Sequence, residues 1–204
     1  MKRSTDRILT THVGSLPRPD DLAQMLAARD RRELSDMAAF EARVANGIAE
    51  VVRQQTDTGI DVVNDGEWSK PDYSTYVKDR FTGFEGEATP QDPSRDMLEY
   101  PEFAPYRRGA GLTTIVRPKC NGPIAWKDFD AVKRDIDNLK HALSQVEGAA
   151  TANSGATEVF VTAVSPGQVA RFQGNVYYKS DEEYLWALGN VLKDEYQALS
   201  LIHI

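Results

Sequence analysis

The pattern of apolar and polar positions alternates between two kinds of element along the chain. Short apolar runs lie around Thr10–Val13, at Ile60–Asn64 and at Glu158–Val164, and each ends in small or charged residues. Such runs are typical of buried strands that deliver polar groups at their carboxyl ends. Longer segments between them carry apolar residues three or four positions apart, which predicts amphipathic helices. Strands and helices in alternation predict a parallel α/β architecture.

Three segments show the helical pattern. The first covers residues 30–58 and is expected to end near Gly59, because glycine readily adopts a left-handed helix cap. The second begins after Asp128, a suitable N-cap, and the third after Ser180, which has the capping-box spacing to Glu183. A strand follows the first helix at once, so the first βαβ unit is expected to have parallel strands.

Residues 69–110 interrupt this rhythm with five prolines. Proline at this density excludes a long helix or a central strand. We therefore expect an inserted loop or lid with one short helix, since long loops inside compact enzymes are commonly functional. The strand pattern resumes at residues 112–116, and the last predicted strand ends at a turn, Ser165-Pro166-Gly167.

The order of elements favours one fold class. No G-x-G-x-x-G motif follows a predicted strand, so a doubly wound dinucleotide-binding fold is not indicated and a (β/α)8 TIM-barrel type is favoured. A complete barrel typically needs about 250 residues. The chain has 204 residues, with about four strand units. We expect one incomplete barrel domain over residues 1–204, holding about the first half of a barrel, and a chain that is truncated.

Composition and charge narrow the possible partners. The chain is 41% hydrophobic and 27% charged, which is typical of an ordinary globular protein. Its net charge is −7 and its basic residues are scattered, so we expect no nucleic-acid partner. No run approaches the roughly 18 apolar residues of a membrane span, so we expect no membrane partner and a cytoplasmic location. A single cysteine, Cys120, excludes an intrachain disulfide, and its apolar surroundings predict an inert buried thiol.

Two motifs carry the candidate chemistry. The first is Thr10-Thr11-His12-Val13-Gly14-Ser15-Leu16-Pro17-Arg18-Pro19, and the second is Asp61-Val62-Val63-Asn64-Asp65-Gly66-Glu67-Trp68. Both follow predicted parallel strands, whose carboxyl ends meet at one edge where α/β enzymes keep their chemistry.

In this order the two motifs resemble the cobalamin-independent methionine synthase family, and more closely the stand-alone proteins similar to its catalytic C-terminal barrel. The likeness covers roughly residues 8–84 and 111–199. It implies a zinc-dependent transfer of a methyl group from a methyl-folate to a thiol such as homocysteine, with these small molecules as partners. This chain would hold the amino-acid-binding half, and the fragment itself is expected to be inactive.

The resemblance also implies which residues bind the substrates. Gly14 and Ser15, which follow Val13, would hold the carboxylate of the amino acid, and Glu67 would pair with its ammonium group. Arg117 is the candidate for a contact with the folate. The family's Thr-Gly-Pro turn is replaced by Ser165-Pro166-Gly167, a departure that puts the folate contacts in question.

Zinc serves this chemistry because a coordinated thiol loses its proton and becomes a nucleophile. In the family the ligands are His, Cys, Glu and Cys in the barrel half that follows the region present here. The chain offers Cys120, His12, His141 and His203, without the close His and Cys spacing of a zinc site. We expect zinc in the full-length protein, ligands beyond residue 204, and no complete metal site within this chain.

Each candidate has an ordinary structural alternative. Gly14 and Ser15 fit a simple turn, and Glu67 could cap the following helix or pair with Lys70. His12 could relay a proton, although a histidine at a strand end more often serves a structural hydrogen bond. The aromatic residues near the second motif more often pack than line a pocket, and a solvent-exposed position is expected for His141. These aromatic residues are Trp68, Tyr73 and Tyr76.

Three other functions stay open at this point. One is alkyl transfer to another thiol, and a second is decarboxylation of the uroporphyrinogen type in the same superfamily. The decarboxylase would need basic residues at the barrel mouth for acidic side chains, and these are scarce here. The third is an inactive fragment that only binds a small molecule.

Overall fold

A computed structural model describes residues 3–86, 95–103, 116–147 and 158–200. Within these ranges three chain segments lie side by side in parallel. β1 (Val62–Val63) is central, with β2 (Glu158–Val159) on one side and Thr11 on the other. The parallel direction predicted for the first two strands is confirmed, although the strands are shorter than the apolar runs. The N–H of Phe160 still donates to the carbonyl of Val63 at 3.2 Å.

Helices make up most of the described residues, and none of these helices has both the length and the apolar character to span a membrane. In chain order they are α1 (Asp20–Asp30), α2 (Met37–Asp57), α3 (Val77–Arg80), α4 (Arg95–Glu99), a 3-10 turn (Pro101–Phe103), α5 (Asp130–Glu147), α6 (Pro166–Phe172) and α7 (Asp181–Ser200).

Two apolar clusters form the core. The first joins α1, α2 and α5 over the strands, because these helices turn their apolar stripes toward one another. It contains Leu22, Leu26, Phe40, Val44, Ile48, Val51, Val52, Val63, Trp68, Leu139, Ala142, Val146 and Val159. The second lies under α3, α6 and α7 and contains Tyr76, Val77, Phe81, Phe84, Cys120, Val164, Val169, Tyr184, Leu188 and Leu192.

The single helix predicted over residues 30–58 is wrong at its start. The helix there begins only at Met37; residues 31–36 connect it to α1, and Arg32 has a φ of 61° that is incompatible with a right-handed helix. The second helix begins where Asp36 accepts a hydrogen bond from the N–H of Ala39 at 2.9 Å. Its end is as predicted, at Gly59 with φ of 84°.

The other predicted helix starts agree with the structure. Asp128 accepts from the N–H of Ala131 at 3.1 Å, and Ser180 accepts from the N–H of Glu183 at 3.1 Å. The turn predicted at Ser165 is instead the start of α6, with the serine as its N-cap and Pro166 in the first turn.

The segment predicted as an inserted loop or lid, residues 69–110, is described in part. Residues 76–84 belong to the second core cluster rather than to an open loop. Gly83 has φ of 86°, and a Cβ there would lie 2.6 Å from the carbonyl oxygen of Gly122. A Cβ on Gly86 would lie equally close to the carbonyl of Lys119. Residues 87–94 and 104–115, including most of the strand predicted at 112–116, lie outside the described residues, and the lid stays a prediction.

A buried ion network joins α3, α5 and α7. Arg80 donates to Asp135 at 2.5 Å and to Glu195 at 3.0 Å, and the hydroxyl of Tyr76 lies 3.0 Å from both carboxylate oxygens of Glu195. Burial acts against the charged form of Asp135, but the nearby guanidinium still holds the pKa of this carboxyl below its usual value. Burial together with the charge of Glu195 raises the pKa of Tyr76.

We expect Arg80→Gln to lower the free energy of unfolding by about 3–5 kcal/mol, because it leaves two buried carboxylates without their cation. Urea unfolding at pH 7 measures the change. The control is Arg134→Gln, which removes a partly exposed pair with Asp128. The control should cost under about 1 kcal/mol, and equal losses in the two variants would contradict a special role for the network.

A second ion pair fixes the chain before the first motif. Arg7 donates to both carboxylate oxygens of Asp61, which also accepts from the N–H of Thr10 at 2.8 Å and from its hydroxyl at 3.1 Å. These donors, Arg7 first, lower the pKa of Asp61 well below its usual value. The pair holds the first motif beside β1.

The pH dependence of stability should report this pair. Because the pKa of Asp61 is lowered by folding, its contribution is complete above the unfolded value of about 4 and is lost as the pH falls below it. Urea unfolding of the parent chain and of Asp61→Asn should therefore show a difference at pH 7 that narrows toward pH 3. A difference that stays constant over this range would show that the carboxylate charge is not involved.

Candidate functional site

Three loops meet at the carboxyl edge of the parallel segments. Ser15 follows the Thr11 pairing, Glu67 follows β1, and Thr162 follows β2. The hydroxyl of Ser15 donates to Oε2 of Glu67 at 2.5 Å, and the hydroxyl of Thr162 donates to Oε1 at 2.8 Å. The hydroxyl of the first motif therefore binds the carboxylate of the second, and a second donor, from a third loop, was not identified by the sequence analysis.

The loop that carries Glu67 is tightly wound. Gly66 and Glu67 have φ of 63° and 60°, a left-handed conformation that is uncommon for a residue with a side chain. The N–H of Gly66 donates to the side chain of Asn64 at 2.8 Å, and the N–H of Glu67 donates to Asp65 at 3.0 Å. These two bonds hold the glutamate in a conformation that costs of order 1–3 kcal/mol.

Arg18 fastens the first motif to this loop. Its guanidinium donates to the carbonyls of Glu67 and Lys70 at 2.7 and 2.9 Å. The N–H of Leu16 donates to Gly66, and the indole of Trp68 donates to Leu16. Burial lowers the pKa of Arg18, and the nearby carboxylates partly offset this. The arginine of the first motif thus sets the position of the second.

The carboxylate of Glu67 belongs to a residue only 4% exposed. Its neighbour Asp65 is also buried, and burial raises the pKa of Asp65. Lys70 does not pair with Glu67 among the described contacts, since its ammonium donates to the carbonyl of Thr162 at 2.7 Å. The ordinary alternative for Glu67, an ion pair with Lys70, is therefore not what the structure shows.

The other predicted site residues have different surroundings. Val13 is 72% exposed, and Gly14 has φ of 101° with open space around its Cα. Within the described residues, the backbone N–H groups of Gly14 and Ser15 have no hydrogen-bond acceptor. The guanidinium of Arg117 lies 5.2 Å from the ring centroid of Phe172 on α6.

The histidines and the cysteine are only partly as expected. The backbone carbonyl of His12 accepts from the side chain of Asn64 at 2.7 Å, but its ring Nε2 is buried with no hydrogen-bond partner among the described residues. Cys120 is fully buried as predicted, and burial raises its pKa. His141 is exposed on α5 as predicted, and His203 lies outside the described residues. Trp68 is a core residue, in agreement with a packing role.

Among the residues that the structure describes, the donor groups do not form a metal centre. Across residues 3–86, 95–103, 116–147 and 158–200, no group of three or more His, Cys, Asp or Glu side chains is arranged to hold a metal ion. The described residues therefore do not fit the zinc ion that the resemblance implies.

Comparison with known proteins confirms the resemblance carried by the two motifs. Residues 8–92 match the family model described as cobalamin-independent synthase, catalytic domain. A 5-methyltetrahydropteroyltriglutamate-homocysteine methyltransferase of Synechococcus sp. is 35% identical over 75 residues, which is 37% of this chain and 10% of that protein. A methionine synthase of Sulfolobus acidocaldarius is 24% identical over 190 residues, which is 93% of this chain and 47% of that protein.

A solved structure has the same fold. The B12-independent methionine synthase of Shewanella sp. W3-18-1, in complex with selenomethionine, matches with a TM-score of 0.64 and 18% identity. The match covers 96% of this chain and 49% of that one. The matched part thus spans about half the length of this structure and of the Sulfolobus relative, and a tenth of the Synechococcus protein. The predicted α/β class of barrel type is supported, and an incomplete barrel stays a prediction.

The left-handed turn before Glu67 should tolerate no side chain at its glycine. A Cβ on Gly66 would lie 3.0 Å from the indole of Trp68, at φ of 63°. We expect Gly66→Ala to destabilise the chain by about 1–3 kcal/mol. Gly189→Ala, inside α7 with its nearest neighbour 3.9 Å away, should instead stabilise by about 0.5–1 kcal/mol. Thermal unfolding of both variants tests the difference, and matching shifts in the two would rule out the strained turn.

Proposed function

We propose that this relative of the cobalamin-independent methionine synthases binds a zwitterionic amino-acid thiol, homocysteine or a close analogue, at the edge formed by Ser15 and Glu67. Bound there, the amino acid would be the acceptor in the transfer of a methyl group to its thiol. The observation that carries the proposal is the direct hydrogen bond between the two motifs, which brings donors and an anion together at one place.

The chemistry of the two poles suits such a ligand. The free N–H groups of Gly14 and Ser15 can donate to a carboxylate, and the carboxylate of Glu67 can accept from an ammonium group. Because Glu67 is largely buried, its attraction for a cation is screened less than at an open surface. The exposed side chain of Val13 adds an apolar surface beside the glycine.

The comparisons support the same class of ligand. The Shewanella structure is that of a synthase in complex with selenomethionine, an amino acid with a carboxylate, an ammonium group and a side chain of the length that homocysteine has after methylation. The Synechococcus relative is named for homocysteine and a methyl-folate. We extend the amino acid to this chain because the residues for its two charged ends are present and in contact.

Zinc and the methyl-folate belong to the proposal for the whole enzyme. When bound, zinc would supply the deprotonation of the acceptor thiol. Since the described residues do not fit a metal site, we assign this chain the amino-acid-binding role and derive no step that passes through the metal. Arg117 stays the candidate for the folate, beside Phe172.

Glu67→Gln should weaken binding of L-methionine and L-homocysteine by about 1.5–3 kcal/mol, or roughly 10- to 150-fold, because the neutral amide no longer attracts an ammonium group. Isothermal titration calorimetry of the 204-residue chain measures both affinities. Glu182→Gln, an exposed carboxylate at the start of α7, is the matched control and should bind like the parent chain. An unchanged affinity in Glu67→Gln would remove the ammonium contact from the proposal.

A further inference from the structure

The geometry points to Thr162 as a positioning residue for the amino-acid site, one whose hydroxyl holds the Glu67 carboxylate in the orientation that receives a primary ammonium group. This inference deepens the proposed function and rests on it. Thr162 lies at the end of the third parallel segment, in a β-branched run where the sequence alone suggests only a strand.

The contact itself is specific. Oε1 of Glu67 accepts from Thr162 at 2.8 Å while Oε2 accepts from Ser15 at 2.5 Å, so one hydroxyl lies on each oxygen. The terminal torsion of a glutamate is broad and roughly two-fold, and two donors from different loops restrict it. Each oxygen keeps a second lone pair, which leaves two acceptor positions for an ammonium group with its three protons.

The backbone of Thr162 is itself fixed by a hydrogen bond from a buried lysine. Its carbonyl accepts from the ammonium of Lys70 at 2.7 Å, and Lys70 is buried with its Nζ 4.7 Å from the ring centroid of Tyr76. The lysine therefore fixes the backbone from which the hydroxyl reaches Glu67. The buried cation is thus two hydrogen bonds away from the carboxylate, one to the Thr162 carbonyl and one from the Thr162 hydroxyl.

This arrangement predicts an effect on ligands that carry an ammonium group and on no others. When protein donors have already oriented the carboxylate, ligand binding loses less side-chain conformational entropy. Without the Thr162 hydroxyl, Glu67 must be oriented by the ligand itself. A ligand that lacks the ammonium group makes no ion pair with Glu67, so its affinity should be the same with and without the Thr162 hydroxyl.

The test uses the isosteric variant Thr162→Val and the hydroxyl-retaining control Thr162→Ser in the 204-residue chain. The probes are L-methionine and 4-(methylsulfanyl)butanoate, which has the same carboxylate and thioether without the ammonium group. We expect Thr162→Val to weaken L-methionine about tenfold, the cost of one hydrogen bond to a charged group. The butanoate should bind both variants and the parent chain alike, and Thr162→Ser should keep the parent affinity for methionine.

Two results would overturn the inference. One is an unchanged methionine affinity in Thr162→Val, and the other is an equal loss for both probes, which would indicate a general structural defect. In the double variant with Glu67→Gln, the second change should add little, because the positioned group is already gone.

A ligand-free measurement separates this inference from the proposed function. The 13C chemical shift of the Glu67 side-chain carboxyl should change in Thr162→Val and not in Thr162→Ser. If the parent chain binds no methionine, the proposed function fails, and the carboxyl shift still decides whether Thr162 positions Glu67. An unchanged shift in Thr162→Val overturns the positioning role whatever the ligand does.

Discussion

The structure depends on one constraint, the parallel pairing of Thr11, β1 and β2. Parallel neighbours end at the same edge, so the loops that follow them meet although they are about fifty and about one hundred residues apart in the sequence. Helices α1, α2 and α5 cover these segments with apolar side chains, and polar side chains lie at their carboxyl edge. The place of the site is therefore a consequence of strand direction, before any particular side chain is considered.

At that edge, the backbone of Glu67 is strained and several hydrogen bonds hold it in its strained conformation. The left-handed conformation at Glu67 costs free energy, and it is held by Asn64 and Asp65 within the loop and by Arg18 from the first motif. Such over-determined strained residues are characteristic of functional sites, because the conformation serves the side chain and not the backbone. Here the result is a carboxylate with a defined direction at the meeting point of three loops.

The sequence predicted the structure well where a residue type strongly favours one local conformation or capping role. Gly59 ended its helix as expected, and Ser180 capped the last one. Strand order and the two motifs predicted that Ser15 and Glu67 meet at one edge, and the structure adds a direct hydrogen bond between them. Thr162 could not be identified in the same way, because a threonine in a β-branched run has strand propensity whether or not its hydroxyl binds anything. The helix predicted from residue 30 begins only at Met37, after the left-handed Arg32, which no propensity rule anticipates.

The close approach of Gly83 and Gly86 to residues 119–122 has a consequence for how the gene can vary. Gly86 and Lys119 lie against each other, so the chain between them has only a short gap to close, however many residues intervene. Closing a longer excursion costs only about 0.6 kcal/mol for each doubling of its length. The number of residues between these two points can therefore change at little cost in closure entropy, while a side chain at either glycine would meet a backbone carbonyl.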